Sequence, residues 1–286
     1  MPDKALTLYD NPVSFSSQVV RFVLAEKGLP FKERLMDVGP ALQNYDPWYL
    51  KFNLRGVVPT LVDQERVVCD SLRIARYLES LSKDKPLFPA DSGLRDQVED
   101  WLDAFDAVPE RILPYIALDG GEKKFLMWDL RRRIKVLKFM VKSQKALRRA
   151  YQDKLSDMEQ LAADLDKPDV KDKTLAEVKG FLATVNDRLS GGQSCLFGEQ
   201  FTLADAVLGV YMARLDLLKL DELYKDGQHT HLQSWYERVQ SRPAFAEANV
   251  GMSAKGSKLL LSLARAYFPT FVLWLFLGFM FYNIFS

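Results

Sequence analysis

The chain has 286 residues, and 39 Lys and Arg against 38 Asp and Glu leave a formal net charge of +1. Apolar residues make up 48% and charged residues 27%, a balance that excludes a mostly disordered chain and suits one large domain or two small ones. Near-zero charge argues against nucleic acid as the main partner, and two cysteines, Cys69 and Cys195, without a C-x-x-C, exclude a disulfide framework and fit a reducing compartment.

The N-terminus, Met-Pro-Asp-Lys, lacks the apolar stretch of a secretory signal. Residues 4–10 predict a short strand, and residues 11–17 a turn cluster of Asn, Pro and Ser. A helix is predicted over 17–28, with Val19, Phe22, Val23 and Ala25 on one face, Ser17 as N-cap and Gly28 as its stop. A second strand follows over 31–38, then one or two helical turns over 46–53 with Pro47 at the first position. Residues 59–63 and 66–70 predict a hairpin, and residues 71–82 a helix with Leu72, Ile74, Ala75, Leu78 and Leu81 mostly on one side. The order β-α-β-(α)-β-β-α predicts a small mixed α/β domain over 1–83. The prolines and glycine of 84–93 mark a linker.

From Leu94 no strand pattern appears, so an all-helical domain is expected over 94–250, with helices near 94–117, 123–165, 174–190, 203–218 and 232–240. Thr202 and Asp205 form a capping pair that opens the fourth, a folding feature. The stretch 131–149 is basic and has no acidic residue. It is either an amphipathic surface for anionic lipid or an acidic partner, or the solvated face of a helical hairpin. His229 and His231 read as loop residues, and no Cys or carboxylate cluster completes a metal site, so no metal is expected.

The C-terminal end departs from this pattern. After a basic segment over 251–266 with Lys255, Lys258 and Arg265, no charged residue occurs from Tyr267 to Phe285. As a helix this run is roughly 28 Å long, close to the ~30 Å hydrocarbon core. Tyr267 and Tyr282 sit near its ends, and the basic flank before it places the folded domains in the cytosol. A single C-terminal membrane anchor is expected. The alternative is a buried last helix, but a helix apolar all round has no solvent face.

The succession of a mixed α/β domain and an all-helical one resembles the glutathione transferase superfamily. Four local patterns agree: Val13-Ser14-Phe15-Ser16-Ser17 leading into a helix after the first strand, Asn53-x-x-Gly56-Val57-Val58-Pro59-Thr60-Leu61, Asp70-Ser71 at a helix start, and Phe201–Asp205. The stretch 37–53 resembles bacterial dehalogenase- and etherase-type members. The stretches 14–21 and 198–205, a long helical insertion near 119–173 that contains Arg149-Ala150-Tyr151, and the C-terminal anchor resemble the ganglioside-induced differentiation-associated family. The resemblance implies a thioredoxin-like first domain, glutathione as co-substrate, a hydrophobic electrophile as second substrate, and a homodimer.

A glutathione thiol with pKa about 8.5–9 is only slightly ionised at neutral pH, and the thiolate is the nucleophile. A hydroxyl donor and the positive end of a helix both favour the anion. Ser14, three residues before the expected cap, suits that role and matches the family position for the activating Ser or Cys; Ser16 and Ser17 are alternates, and the other reading of Ser14 is a turn hydroxyl bonding its own backbone. The resemblance implies that Pro59 is cis and turns the Val58 N–H and C=O outward to pair with the glutathione backbone. Asp70 and Ser71 would meet its γ-glutamyl end, or serve only as a cap, and Lys51 or Arg55 its glycine carboxylate. Trp101, Phe105 and Tyr115 are candidates for the wall of the second-substrate cleft or for core. The other reading keeps the fold and loses catalysis, leaving an interaction module that acts at a membrane.

Overall fold

The structure is a computed structural model that describes residues 6–252 and the single positions Ala264, Phe268 and Val272. The expected basic segment 251–266 and anchor 267–285 fall almost wholly outside the described residues. Among those residues, no helix is long and apolar enough to cross a membrane.

The first domain is a four-stranded sheet in the order β2-β1-β3-β4. Strand β1 (Leu6–Asp10) pairs in parallel with β2 (Phe31–Leu35) across helix α1 (Phe15–Lys27). After the short α2 (Pro47–Leu50), β3 (Thr60–Asp63) runs antiparallel to β1, and β4 (Arg66–Cys69) closes the hairpin onto β3 before α3 (Ser71–Leu81). Alternation splits β1 between two cores. Leu6 and Leu8 face α1 and α3 with Val19, Val23, Ile74 and Leu78, while Tyr9 faces Met36, Tyr49 and Val58 on the other side. Gly28 ends α1 at φ 63°, donating its N–H to Ala25 while Leu29 donates to Leu24, a left-handed stop that suits glycine.

The expected linker is packed. Leu87 and Phe88 are buried, and the Leu87 carbonyl accepts from Leu203 at 2.9 Å. The helical domain then runs through α4 (Ser92–Phe105), α5 (Leu113–Ala117), α6 (Gly120–Ser143), α7 (Arg148–Leu165), α8 (Val170–Leu189), α9 (Leu203–Leu217), α10 (Thr230–Gln240) and α11 (Pro243–Glu247). Two expected helices are each two. The first breaks before Pro109, which lacks an N–H, and the second turns at Gln144, where φ −103° and ψ 76° leave the helical region. The Thr202–Asp205 pair caps α9, with the Thr202 N–H donating to Asp205 Oδ2 at 2.9 Å. His231 lies in the first turn of α10, and His229 is buried against Asp226 at 2.9 Å.

The helices α6 and α7 form a hairpin that seats on the first domain. Leu130, Leu137, Tyr151 and Met158 share a core with Leu42, Tyr45 and Leu50. Arg132 donates to the Gly39 and Pro40 carbonyls at 2.7 and 3.0 Å, and Tyr151 Oη to the Tyr45 carbonyl at 2.8 Å. Arg133 bridges Asp129 and the Val38 carbonyl. Part of the basic 131–149 stretch is therefore a docking face against the first domain, not a free surface.

Candidate functional site

The start of α1 separates the three candidate serines. Asn11 holds the preceding turn, accepting from the Val13 and Ser14 N–H groups at 3.2 and 3.1 Å. That starts the helix at Phe15, so Ser14, not Ser17, is its N-cap, with Oγ accepting from the Ser17 N–H at 3.3 Å. Ser17 is fully buried, with its hydroxyl 3.5 Å from the Asn11 N–H, and so is withdrawn from any ligand. Ser16, in the first turn, faces an open cavity.

The Asn53–Leu61 motif builds the opposite lip. Asn53 Nδ2 donates to the Val57 carbonyl at 2.8 Å and to Thr60 Oγ1 at 3.0 Å, and Tyr49 Oη donates to the same carbonyl at 2.7 Å. Gly56 sits at φ 58° with its carbonyl held by Asn44 at 2.7 Å, and a Cβ there would lie 3.0 Å from the Asn44 carbonyl oxygen. The Val58–Pro59 peptide is cis, as expected. Neither the N–H nor the C=O of Val58 has a hydrogen-bond partner among the described residues.

Asp70 is the N-cap of α3. Its Oδ1 accepts from the Leu72 and Arg73 N–H groups, each at 3.2 Å, and its Oδ2 meets Arg55 at 3.3 Å. The backbone of Asp70 lies at φ 78°, ψ 131°, strained for a non-glycine residue by about 1–3 kcal/mol. Ser71 opens the helix, and its hydroxyl is unpartnered among the described residues. Cys69 is half-buried, and burial raises its thiol pKa, so it is no ready nucleophile.

A cavity of about 910 Å³ joins these parts. It is lined on one side by Ser16, Arg55, Val57, Val58, Pro59, Asp70 and Ser71. Its other wall is the hairpin and the chain before α5: Arg111, Arg149, Ala150, Asp153, Lys154, Asp157 and Met158. Of the residues expected at the site, Ser16, Val58, Pro59, Asp70 and Ser71 come together; Ser14 and Ser17 do not line the cavity, and Lys51 is exposed outside it while Arg55 is part of it. The aromatic candidates are elsewhere. Phe105 is core, stacked on Trp101 and edge-on to Tyr211, and Tyr115 packs in the hairpin core.

The charged wall on α7 was missed. Its signal is a second periodicity in the helix: Arg149, Asp153 and Asp157 recur every four residues, beside the apolar face of Tyr151, Met158 and Leu161. Lys154 has no hydrogen-bond or ion-pair partner among the described residues, and burial, with Arg111 close by, pushes its pKa down to about 8.

The glutathione S-transferase N-terminal domain model matches residues 8–86, and the glutathione S-transferase C-terminal domain model matches residues 168–238. The chain is 31% identical over 274 residues to human ganglioside-induced differentiation-associated protein 1-like 1, covering 85% of this chain and 73% of that protein. The chain belongs to the glutathione S-transferase family. It is also 27% identical to the tetrachloro-p-hydroquinone reductive dehalogenase of Sphingobium chlorophenolicum over 259 residues, 90% of this chain and 99% of that one. Among solved structures, glutathione transferase F7 from Populus trichocarpa superposes with TM-score 0.63 at 20% identity, covering 87% of this chain and all of that one. A β-etherase from Sphingobium does so with TM-score 0.62 at 21% identity, covering 85% and 98%. These structures share the glutathione transferase fold: a thioredoxin-like α/β domain followed by a helical one. The α6–α7 hairpin, residues 120–165, lies between the two stretches that the family models match.

Proposed function

We propose that the chain is a glutathione-dependent transferase tethered to a membrane by its run from Tyr267 to Phe285. The observation that carries this reading is the unpaired Val58 peptide edge beside the cis Pro59, opening into the same cavity as Ser16 and Ser71. An extended peptide pairs there as an added strand. Its γ-glutamyl carboxylate meets the Ser71 hydroxyl and the Ser71 N–H at the start of α3, and Arg55 accompanies its other carboxylate. Asp70 is committed to its cap, so it contributes charge rather than a new bond.

The peptide thiol lies toward the start of α1. The N–H groups of Phe15 and Ser16 have no acceptor inside the helix, and together with the Ser16 hydroxyl they favour the thiolate. Ser16 lines the cavity and Ser14 does not, so Ser16 is given the donor role expected of Ser14. The thiolate attacks an electrophilic carbon, the C–S bond forms, and the leaving group departs as an anion.

Calorimetric titration with glutathione tests binding, and conjugation of a chloro-aromatic tests chemistry. Binding at sub-millimolar to millimolar glutathione, with Ser16→Ala lowering kcat/KM by 10-fold or more, is expected. No binding at 10 mM, a deliberately generous ceiling of about 2.7 kcal/mol, overturns the reading and favours the interaction module. That second reading has one observation of its own: Phe125, Trp128 and Phe139 stand exposed on α6. Light scattering on detergent-solubilised protein tests the expected homodimer.

A further inference from the structure

The α7 wall of the cavity is polar, and its charges do not balance locally. Arg111, Arg149 and Lys154 face Asp153 and Asp157 there. Most of these groups are already engaged or exposed. Arg111 donates to the Asp157 carbonyl at 3.3 Å, Arg55 pairs with Asp70, and Arg133 pairs with Asp129. Lys154 is the exception. Among the described residues only Lys27 and Lys154 are lysines that are not exposed; Lys27 holds Glu79 at 2.7 Å, and Lys154 holds no carboxylate. The charges acting on its amine come from four elements: Arg111 before α5, Arg133 on α6, Arg55 beside Pro59, and Asp157 one turn along α7. With Arg55 paired to Asp70 and Arg133 to Asp129, the wall's Arg111, Arg149 and Lys154 against Asp153 and Asp157 leave one positive charge in excess.

We propose that Lys154, supported by Arg111 and Arg149, is an anion-binding subsite that selects an acceptor substrate carrying a carboxylate or a phenolate. The assignment deepens the transferase reading and rests on it for its reaction. The subsite lies on the hairpin wall, across the cavity from the Val58 edge and Ser71, where the thiol peptide docks. The cavity, about 910 Å³, is at the large end for small-molecule sites, and the proposal places the acceptor beside the peptide within it. An oxyanion on that molecule supplies the acceptor that Lys154 lacks and offsets the surplus positive charge. The amine is a positioning and specificity group, not a reagent. The acceptor's carbon–halogen bond breaks as the C–S bond forms, the halide leaves, and the thiol proton goes to solvent. The aliphatic or aromatic body of the acceptor rests on Met158, Ala150 and Leu147.

The test uses two acceptors with one reacting centre, 4-chloro-3,5-dinitrobenzoate and its methyl ester, each rate divided by its uncatalysed rate with glutathione. The full-length protein is expected to favour the acid by 10-fold or more in kcat/KM. Lys154→Met removes that ratio, and Lys154→Arg, which keeps the charge, retains most of it. Binding is read separately, by calorimetry with the unreactive 3,5-dinitrobenzoate and its ester. Acid and ester binding alike to wild type overturns the proposal. So does a Lys154→Met protein that keeps the acid preference but loses glutathione affinity, because the subsite then holds the peptide's own carboxylate. Preferential acid binding, lost in Lys154→Met, in a protein that turns over neither compound sinks the transferase reading and leaves the subsite standing.

Discussion

Lys154 carries its proton where the fold disfavours it, with burial and then Arg111 lowering its pKa from 10.5 to about 8. An unfolded chain holds that proton without penalty. Between about pH 8 and pH 10.5 the unfolded state therefore binds more protons, and stability from this group rises with pH. Below about pH 8 the penalty is fully present, with a ceiling of about 3.5 kcal/mol at about 1.4 kcal/mol per pH unit. Lys154→Met is expected to be more stable than wild type in urea unfolding at pH 7, and the difference should shrink steadily above pH 8. A variant less stable at pH 7 refutes the argument. Ser14 makes the opposite contrast with Ser16. Ser14 accepts the Ser17 N–H and starts α1, so Ser14→Ala should cost about 1 kcal/mol of stability. Ser16→Ala removes no bond of the fold and should leave the unfolding midpoint within about 0.5 kcal/mol of wild type. Paired urea curves on the two variants separate cap from site.

At the scale of elements, α1 is the piece that joins the two domains. Glu26 binds Arg242 at 2.6 and 2.8 Å, Arg21 reaches the Ala248 carbonyl at 3.0 Å, and Phe22 packs edge-on to Phe201 and Phe245. Gly209 on α9 is small because this junction is close: a Cβ there would lie 2.8 Å from Val239 Cγ1 and 3.6 Å from Phe22 Cε1. A valine methyl so near the backbone cannot swing away without displacing α10. Gly209→Ala should therefore cost about 1–3 kcal/mol through overpacking, despite alanine's better helix propensity, and thermal unfolding measures it. The elements were largely legible in the sequence, because β1, α1, α3 and α9 carry their own periodicity and stops. The breaks at Pro109 and Gln144 were hidden by apolar spacing that continues in phase across them. Within the site, Val58–Pro59 and Asp70–Ser71 were legible from local pattern. Which serine faces the cavity was not, since it depends on where Asn11 lets the helix begin. The Lys154 wall was not either, because it is made by a hairpin docked on residues 38–50, far away in sequence.

On the scale of the whole molecule, the cores of the described residues run from Leu6 to Val250. Val250 is buried in the main core, and the Gly251 N–H donates to Gln18 Oε1 at 3.1 Å, returning the chain to the first domain. The run from Tyr267 to Phe285 follows later in the sequence and has eleven Phe, Leu, Val and Ile residues, each favouring the bilayer by about 0.3–0.6 kcal/mol near a helix centre. Their sum, about 3–7 kcal/mol, is small enough for one charge to cancel much of it. An arginine at the helix centre costs about 2.5–3.5 kcal/mol, and replacing Leu275 also forfeits its own contribution. Leu275→Arg should therefore move a large fraction of the protein from the alkaline-washed membrane pellet to the supernatant, while Leu275→Ile stays in the pellet. Glutathione affinity, set by the cavity at Val58 and Ser71, should not differ between the two. Full pellet retention of Leu275→Arg would show that this run does not hold the protein to the membrane, and would move the search to the exposed aromatic row of Phe125, Trp128 and Phe139 on α6.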